Sequence, residues 1–220
     1  MHLIERAISS DEVVALCRFV AGAAKRDGRA TAGRTGQHKK ACEAVRSDAE
    51  GFADAARRVE RSVLTNPRVA ASVFPRAVST VQFLRYGAGG RYDAHVDMPL
   101  MGGLRGTPVR ADLSATLFLN EAYDHDGGDL IVAGQPAPRG RAGDLLLYDG
   151  GQEHAVEPIT RGQRIVAVFW IESFVARAED RAILRDLDAA CAPLRADGPA
   201  AARDALADVY VRLLRRFSVG

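Results

Sequence analysis

Residues 144–171, DLLLYDGGQEHAVEPITRGQRIVAVFWI, decide the fold. Three short β-type runs, DLLLY, HAVEPI and RIVAVFWI, are punctuated by Gly-Gly, Pro and Arg-Gly, a texture of strands joined by turns. In the last run a two-residue period puts Arg164, Val166, Val168 and Trp170 on one face. The same texture reaches upstream to Val78 through VSTVQFLRY, DAHVD, DLSATLFLN and DLIVA. Seven short strands with frequent turn signals predict an antiparallel sandwich, jelly roll or barrel.

Helices flank this region on both sides. Ser9 with Glu12 three residues later predicts a capped helix carrying Val13, Leu16, Phe19, Val20 and Ala23, ending near Gly28. Residues 28–40, GRATAGRTGQHKK, have no periodic apolar face and read as a mobile loop. Its Arg29, Arg34, Lys39 and Lys40 suit either a lid meeting an acidic substrate or a solvated connection. A second helix is expected from about Ala41 to Leu64, stopped by Asn66-Pro67. The tail returns to helix around Ile183, Leu184 and Leu187, then Leu206, Val209, Tyr210, Leu213, Leu214 and Phe217, with Pro193 and Asp197-Gly198-Pro199 between. The expected class is mainly β with flanking helices: one domain over 1–175 with a β core at about 78–171, and a helical extension over 176–220 packed on it.

The chain has 220 residues, 47% hydrophobic and 26% charged, which is a globular composition. A net charge of +2 is too small for a protein that neutralises nucleic-acid phosphates, so no nucleic-acid partner is expected. Cys17, Cys42 and Cys191 are odd in number and in no paired motif, which points to a reducing compartment. Glu5 and Arg6 interrupt any early signal core, and the apolar stretch Ile165–Ile171 is far too short to span a bilayer. A cytoplasmic protein with no membrane partner is expected; its oligomeric state is not legible.

Chemistry gathers at His95-Val96-Asp97. Residues two apart on a strand share a face, so both side chains can reach one metal ion, although such a pair alone is as readily structural. His154 lies in a second strand and completes two imidazoles and one carboxylate, the facial triad of non-haem Fe(II) oxygenases. Arg164 opens the strand RIVAVFWI on its otherwise apolar face, where its planar fork suits the far carboxylate of a dicarboxylate co-substrate. Arg161 competes for that role from the Thr160-Arg161-Gly162 turn, a less rigid position. Along DLSATLFLN, Asp112, Ser114 and Thr116 share a polar face suited to a lumen or to solvent. His2, His38 and His125 have no ligand partner at useful spacing and are expected on the surface.

With YGAGGRY ahead of the first ligand, these residues resemble the Fe(II)/2-oxoglutarate dioxygenases of the prolyl 4-hydroxylase type, and more closely the bacterial PKHD-type hydroxylases. The runs RADLSATLFLNEAYDHDGGDL, AGDLLLYDGGQEHAVEPITRGQRIVAVFWIESFV and RAILRDLDAA carry the resemblance, which is strong from Val78 to Ala190 and extends to RDGRATAG and the first helix. It implies a double-stranded β-helix core, Fe(II) on His95, Asp97 and His154, and 2-oxoglutarate with its C5 carboxylate on Arg164. Tyr86 and Tyr92 match the family's two tyrosines, and the resemblance implies that Tyr86 contacts the co-substrate, where the plain alternative is packing. It implies dioxygen as oxidant, optional ascorbate as reductant, release of succinate and CO2, and no catalytic group beyond the metal centre. Asp97, where related halogenases carry a small residue, implies hydroxylation.

The chain departs from that pattern at QHKKACEAVRSD, Asp93-Ala94, Met98-Pro99, Gly127-Gly128-Asp129 and Gln152-Glu153. Substrate identity therefore does not carry over. The expected reaction is hydroxylation of a C–H bond of a prolyl or other amino-acid residue. A free amino acid or small metabolite is the alternative, with segments 28–40 and 98–109 deciding between them. A non-enzymatic jelly-roll binding module with structural histidines is the third reading.

Overall fold

The computed structural model describes residues 1–33, 36–104 and 106–219. The seven strands expected from the sequence form its centre: β1 (Gln82–Tyr86), β2 (Arg91–His95), β3 (Leu113–Phe118), β4 (Leu130–Val132), β5 (Leu145–Asp149), β6 (His154–Val156) and β7 (Arg164–Ser173). They divide between two antiparallel sheets. The major sheet runs in the order His2–Ile4, β5, β3, β7, β1, Glu43–Val45, Lys25–Asp27, with Pro75–Val78 also paired to β7. The minor sheet runs Gln135–Pro136, β4, β6, β2, Lys40–Ala41.

Alternation gives each major-sheet strand two jobs. Leu113, Ala115 and Leu117 of β3, Leu145 and Leu147 of β5, and Ala167, Phe169 and Ile171 of β7 join one core with the helices. Leu146, Tyr148 and Val166 face the other way, into a second core shared with Leu130, Val132 and Val156 of the minor sheet. The site lies on this second side.

Helices α1 (Ser10–Gly22), α2 (Phe52–Thr65) and α3 (Pro67–Val73) cover the first core. The capping box forms as expected: Glu12 N–H donates to Ser9 Oγ at 3.3 Å and Ser9 N–H to Glu12 Oε2 at 2.9 Å. Phe19 of α1, Phe52 of α2 and Phe83 of β1 meet edge to face with ring centroids 5.3–6.3 Å apart, a geometry that adds about 0.5–1.5 kcal/mol per pair to area burial.

Three expectations are corrected here, and the expected stop at Asn66-Pro67 is met with an addition. The first helix stops at Gly22, because residues 25–27 pair with 43–45 as strands. The second begins only at Phe52, behind left-handed Gly51 (φ 79°); Ala44 and Val45 are instead buried in the strand Glu43–Val45 paired to β1. Pro67 stops α2 but also starts α3, with Asn66 as its N-cap accepting from Arg68 N–H at 2.9 Å. In the tail, α4 (Ala178–Asp197) continues through Pro193, and the break before α5 (Ala200–Phe217) falls at Gly198-Pro199 alone.

The tail helices sit on the core through α4. Buried Arg181 donates to the carbonyls of Val175 (2.9 Å) and Ala176 (2.7 Å), and Leu184 is fully buried. No helix among the described residues is long and apolar enough to cross a membrane.

Candidate active site

Strand register brings the two histidines together. β2 pairs with β6 so that His95 stands opposite His154, and the ring centroids are 4.2 Å apart. β2 ends at His95, so Asp97 lies past the strand that was expected to carry both residues. The major sheet holds it instead: Asp97 Oδ2 accepts from Ser114 Oγ at 2.7 Å and from Trp170 Nε1 at 2.8 Å. The carboxylate stays beside the histidines, 3.7 Å from His95 Nε2 and 3.6 Å from His154 Nε2.

One ligand atom from each of His95, Asp97 and His154 lies within 4.8 Å of the other two. Backbone carbonyls set the tautomers: Nδ1 of His95 is 2.9 Å from Asp93 O, and Nδ1 of His154 is 3.0 Å from Gln152 O. A carbonyl only accepts, so each Nδ1 carries the proton and each Nε2 presents its lone pair to the centre. Burial, and then His154, push the His95 pKa down to about 4, so its neutral, metal-binding form prevails at neutral pH. Two imidazoles and a carboxylate gathered at one point fit Fe(II) and leave three coordination positions open.

The ligands open into a cavity of about 210 Å³. Arg164 lines it, 3% exposed, with its guanidinium carbon 5.6 Å from the ring centres of both Tyr86 and Phe118. Among the described residues no carboxylate pairs with it. Arg161 is exposed and bound to Asp126 at 2.6 Å, away from the cavity. Gly128, at φ +70°, makes room for the arginine stem: a Cβ there would stand 2.2 Å from Ile159 Cδ1 and 3.4 Å from Arg164 Cδ.

Ser114 and Thr116 face the site as the polar-lumen reading requires, whereas Asp112 turns to Arg110 at 2.7 Å. Tyr86 is buried in the cavity wall, 2% exposed, and burial pushes its hydroxyl pKa up. Tyr92 stacks on His95, ring centroids 3.6 Å apart. In segment 28–40, Thr31, Ala32, Gly33, Gly36 and Lys40 form one wall, while Arg29 pairs with Asp27 and Arg34 lies outside the described residues.

Sequence reasoning missed Tyr148, whose ring meets His154 edge-on at 5.1 Å, because DLLLY reads only as an apolar strand. It also missed Gln82, and it left Lys40 between a lid cation and a solvated connection. His125 is corrected from the surface: it is 6% exposed, its Nδ1 2.9 Å from Gly127 O, held by the pairing of residues 125–127 with 159–162. His2 is half-buried in the edge strand of the major sheet, and His38 is exposed as expected.

Residues 81–172 match the 2OG-Fe(II) oxygenase superfamily. The chain is 38% identical to a PKHD-type hydroxylase of Acidovorax ebreus (strain TPSY), over 98% of this chain and 97% of that protein. It belongs to the PKHD-type hydroxylases. As a PKHD-type hydroxylase it is a 2-oxoglutarate-dependent dioxygenase using Fe(II), which sets aside the non-enzymatic binding module. Among solved structures, a prolyl-4-hydroxylase from Pseudomonas putida superposes with a TM-score of 0.51 at 22% identity, covering 78% of this chain and 91% of that one. A prolyl hydroxylase from Trichoplax adhaerens, in complex with a hypoxia inducible factor oxygen degradation domain peptide fragment, gives 0.55 at 16% identity, covering 83% and 86%. These likenesses establish the jelly-roll core of this PKHD-type hydroxylase.

Proposed function

We propose that this PKHD-type hydroxylase inserts a hydroxyl group into a C–H bond of an amino-acid unit, with His95, Asp97 and His154 holding Fe(II) and Arg164 holding the C5 carboxylate of 2-oxoglutarate. The observation that carries this reading is the trio of ligand atoms within 4.8 Å, opening on the same cavity as a buried guanidinium. When bound, iron with dioxygen supplies the oxidation, turning 2-oxoglutarate into succinate and CO2 and a substrate C–H into C–OH. The chain's own residues bind and orient. Ser114 and Trp170 both donate to Asp97 Oδ2, fixing the carboxylate that would hold the metal and leaving Oδ1 without either bond. Arg164 offers a planar fork that suits a bidentate carboxylate, and the Tyr86 ring lines its flank.

The amino-acid unit belongs to a peptide or, in the second reading, stands in a free amino acid or small metabolite; the buried lysine in the cavity wall favours a unit with a free carboxylate in either case. Residues 1–175 form the catalytic domain and 176–220 a helical extension packed on it. Three free cysteines support a cytoplasmic setting. Anaerobic titration with Fe(II) and 2-oxoglutarate, then a succinate assay over prolyl peptides and free amino acids, tests the reading. Metal binding that persists unchanged in His154→Ala would overturn it.

A further inference from the structure

Lys40 is a second buried cation in the cavity. The sequence leaves Lys40 either meeting an acidic substrate or in a solvated connection; it is 4% exposed and lines the cavity. Pairing of Lys40–Ala41 with β2 sets it opposite Tyr92, and its ammonium lies 4.9 Å from the Tyr92 ring centre. Tyr92 in turn stacks on the ligand His95. Nζ donates to Thr31 Oγ1 at 2.9 Å and to Gln82 Oε1 at 3.3 Å. Both acceptors are neutral, and among the described residues no carboxylate pairs with Lys40. Asp97, the carboxylate whose charge reaches Lys40, is already taken up by Ser114 and Trp170, and a buried ammonium without a carboxylate of its own is costly, so its retention asks for an anion supplied from outside.

The co-substrate does not meet that need. Gln82, beside Lys40, pairs with Val168, while Arg164 pairs with Tyr86. Four strand residues separate the two levels, about 13 Å at roughly 3.3 Å each. A five-carbon diacid held at Arg164 and at the metal has both carboxylates engaged.

The chemistry around Lys40 also selects the anion. Thr31 gives its hydroxyl proton to Gly28 O (2.7 Å), and Gln82 Nε2 donates to Thr31 O (3.3 Å). One N–H of the ammonium is left for a ligand, a single contact that suits a carboxylate oxygen better than a phosphate with its larger demand for donors. Around the mouth, Val96, Met98 and Leu100 line the cavity while 55%, 56% and 62% exposed, an apolar rim.

We propose that Lys40 binds a carboxylate of the substrate, and that the substrate is an apolar carboxylic acid, an N-acyl amino acid or peptide C-terminus in chemical class, resting on Val96, Met98 and Leu100. This rests on the iron and 2-oxoglutarate reading of the same cavity. Trp170, the only tryptophan, bonds to Asp97, so its fluorescence reports on the site. The full chain, loaded with Mn(II) and 2-oxoglutarate without oxygen, is titrated with N-acetyl-L-leucine and with N-acetyl-L-leucinamide. Wild type should prefer the acid at least tenfold. Lys40→Met should erase the preference with 2-oxoglutarate affinity unchanged. Gln82→Glu, which sets a carboxylate beside the ammonium at constant size, should erase it too and guards against misfolding of Lys40→Met. Equal affinity for acid and amide in wild type, binding of neither, or a preference surviving both variants overturns the proposal. A wild type that takes up no 2-oxoglutarate counts against the site reading, while the acid-over-amide comparison still reads Lys40.

Discussion

Asp97 is positioned by groups from a different sheet than the histidines it joins. Removing a ligand and removing a support should therefore differ in degree. His95→Ala, Asp97→Ala and His154→Ala should each lose bound iron and succinate formation together while keeping the circular dichroism of the parent. Ser114→Ala and Trp170→Phe should keep activity at saturating iron but weaken metal affinity about 10- to 100-fold, the usual cost of losing a hydrogen bond behind a ligand. For Arg164→Ala, loss of a charged hydrogen-bond partner worth about 1.5–3 kcal/mol should raise the 2-oxoglutarate requirement roughly 10- to 150-fold with iron still bound. A 2-oxoglutarate titration of iron-loaded protein reads this directly, and Arg161→Ala, altered only at an exposed ion pair, is its control. His95, His154 and Arg164 were legible as candidates because each is a polar residue in a strand run that demands an explanation, and Asp97 by its place two residues after His95, although the strand expected to carry it ends at His95. Lys40 and Gln82 were not, because nothing local distinguishes a buried lysine from a solvated one.

The long strands announce themselves for the same reason. β3, β5 and β7 alternate between a helix-facing apolar row and a site-facing row, and that alternation is written in DLSATLFLN and RIVAVFWI. Residues 40–45 carry no such signal. They are short strands stabilised by pairing to β1 and β2, about forty to fifty positions away, and the local preference of Lys, Ala and Glu for helix misleads there. Turn glycines in this layer carry function as well as shape. Gly128→Ala should cost about 1–3 kcal/mol for a non-glycine residue in the left-handed region, and its Cβ should press on Ile159 and the arginine stem. The melting temperature should fall by several degrees, with a weaker hold on 2-oxoglutarate.

Helices, major sheet and minor sheet stack as three layers, and the ligands draw on strands of both sheets. Anything that binds this native arrangement alone adds stability by mass action. Metal alone at a hundred times its dissociation constant should contribute about 2.7 kcal/mol. At roughly 2–4 °C per kcal/mol for a chain of this size, the melting temperature should rise by about 5–11 °C. His154→Ala should show no such rise when scanned beside wild type in a metal-compatible buffer.

Because β2 and β6 supply the histidines while Ser114 and Trp170 of the opposite sheet grip the aspartate, an ion bound there would act as a rivet through a folded clasp. Its withdrawal would spare the helix-backed jaw and loosen the other. Amide hydrogens of β2, β4 and β6 should then exchange faster in chelated protein, while those of β3 and β7 keep their pace. A metal-starved cell would hold this protein ajar rather than unfolded, ready to be refastened.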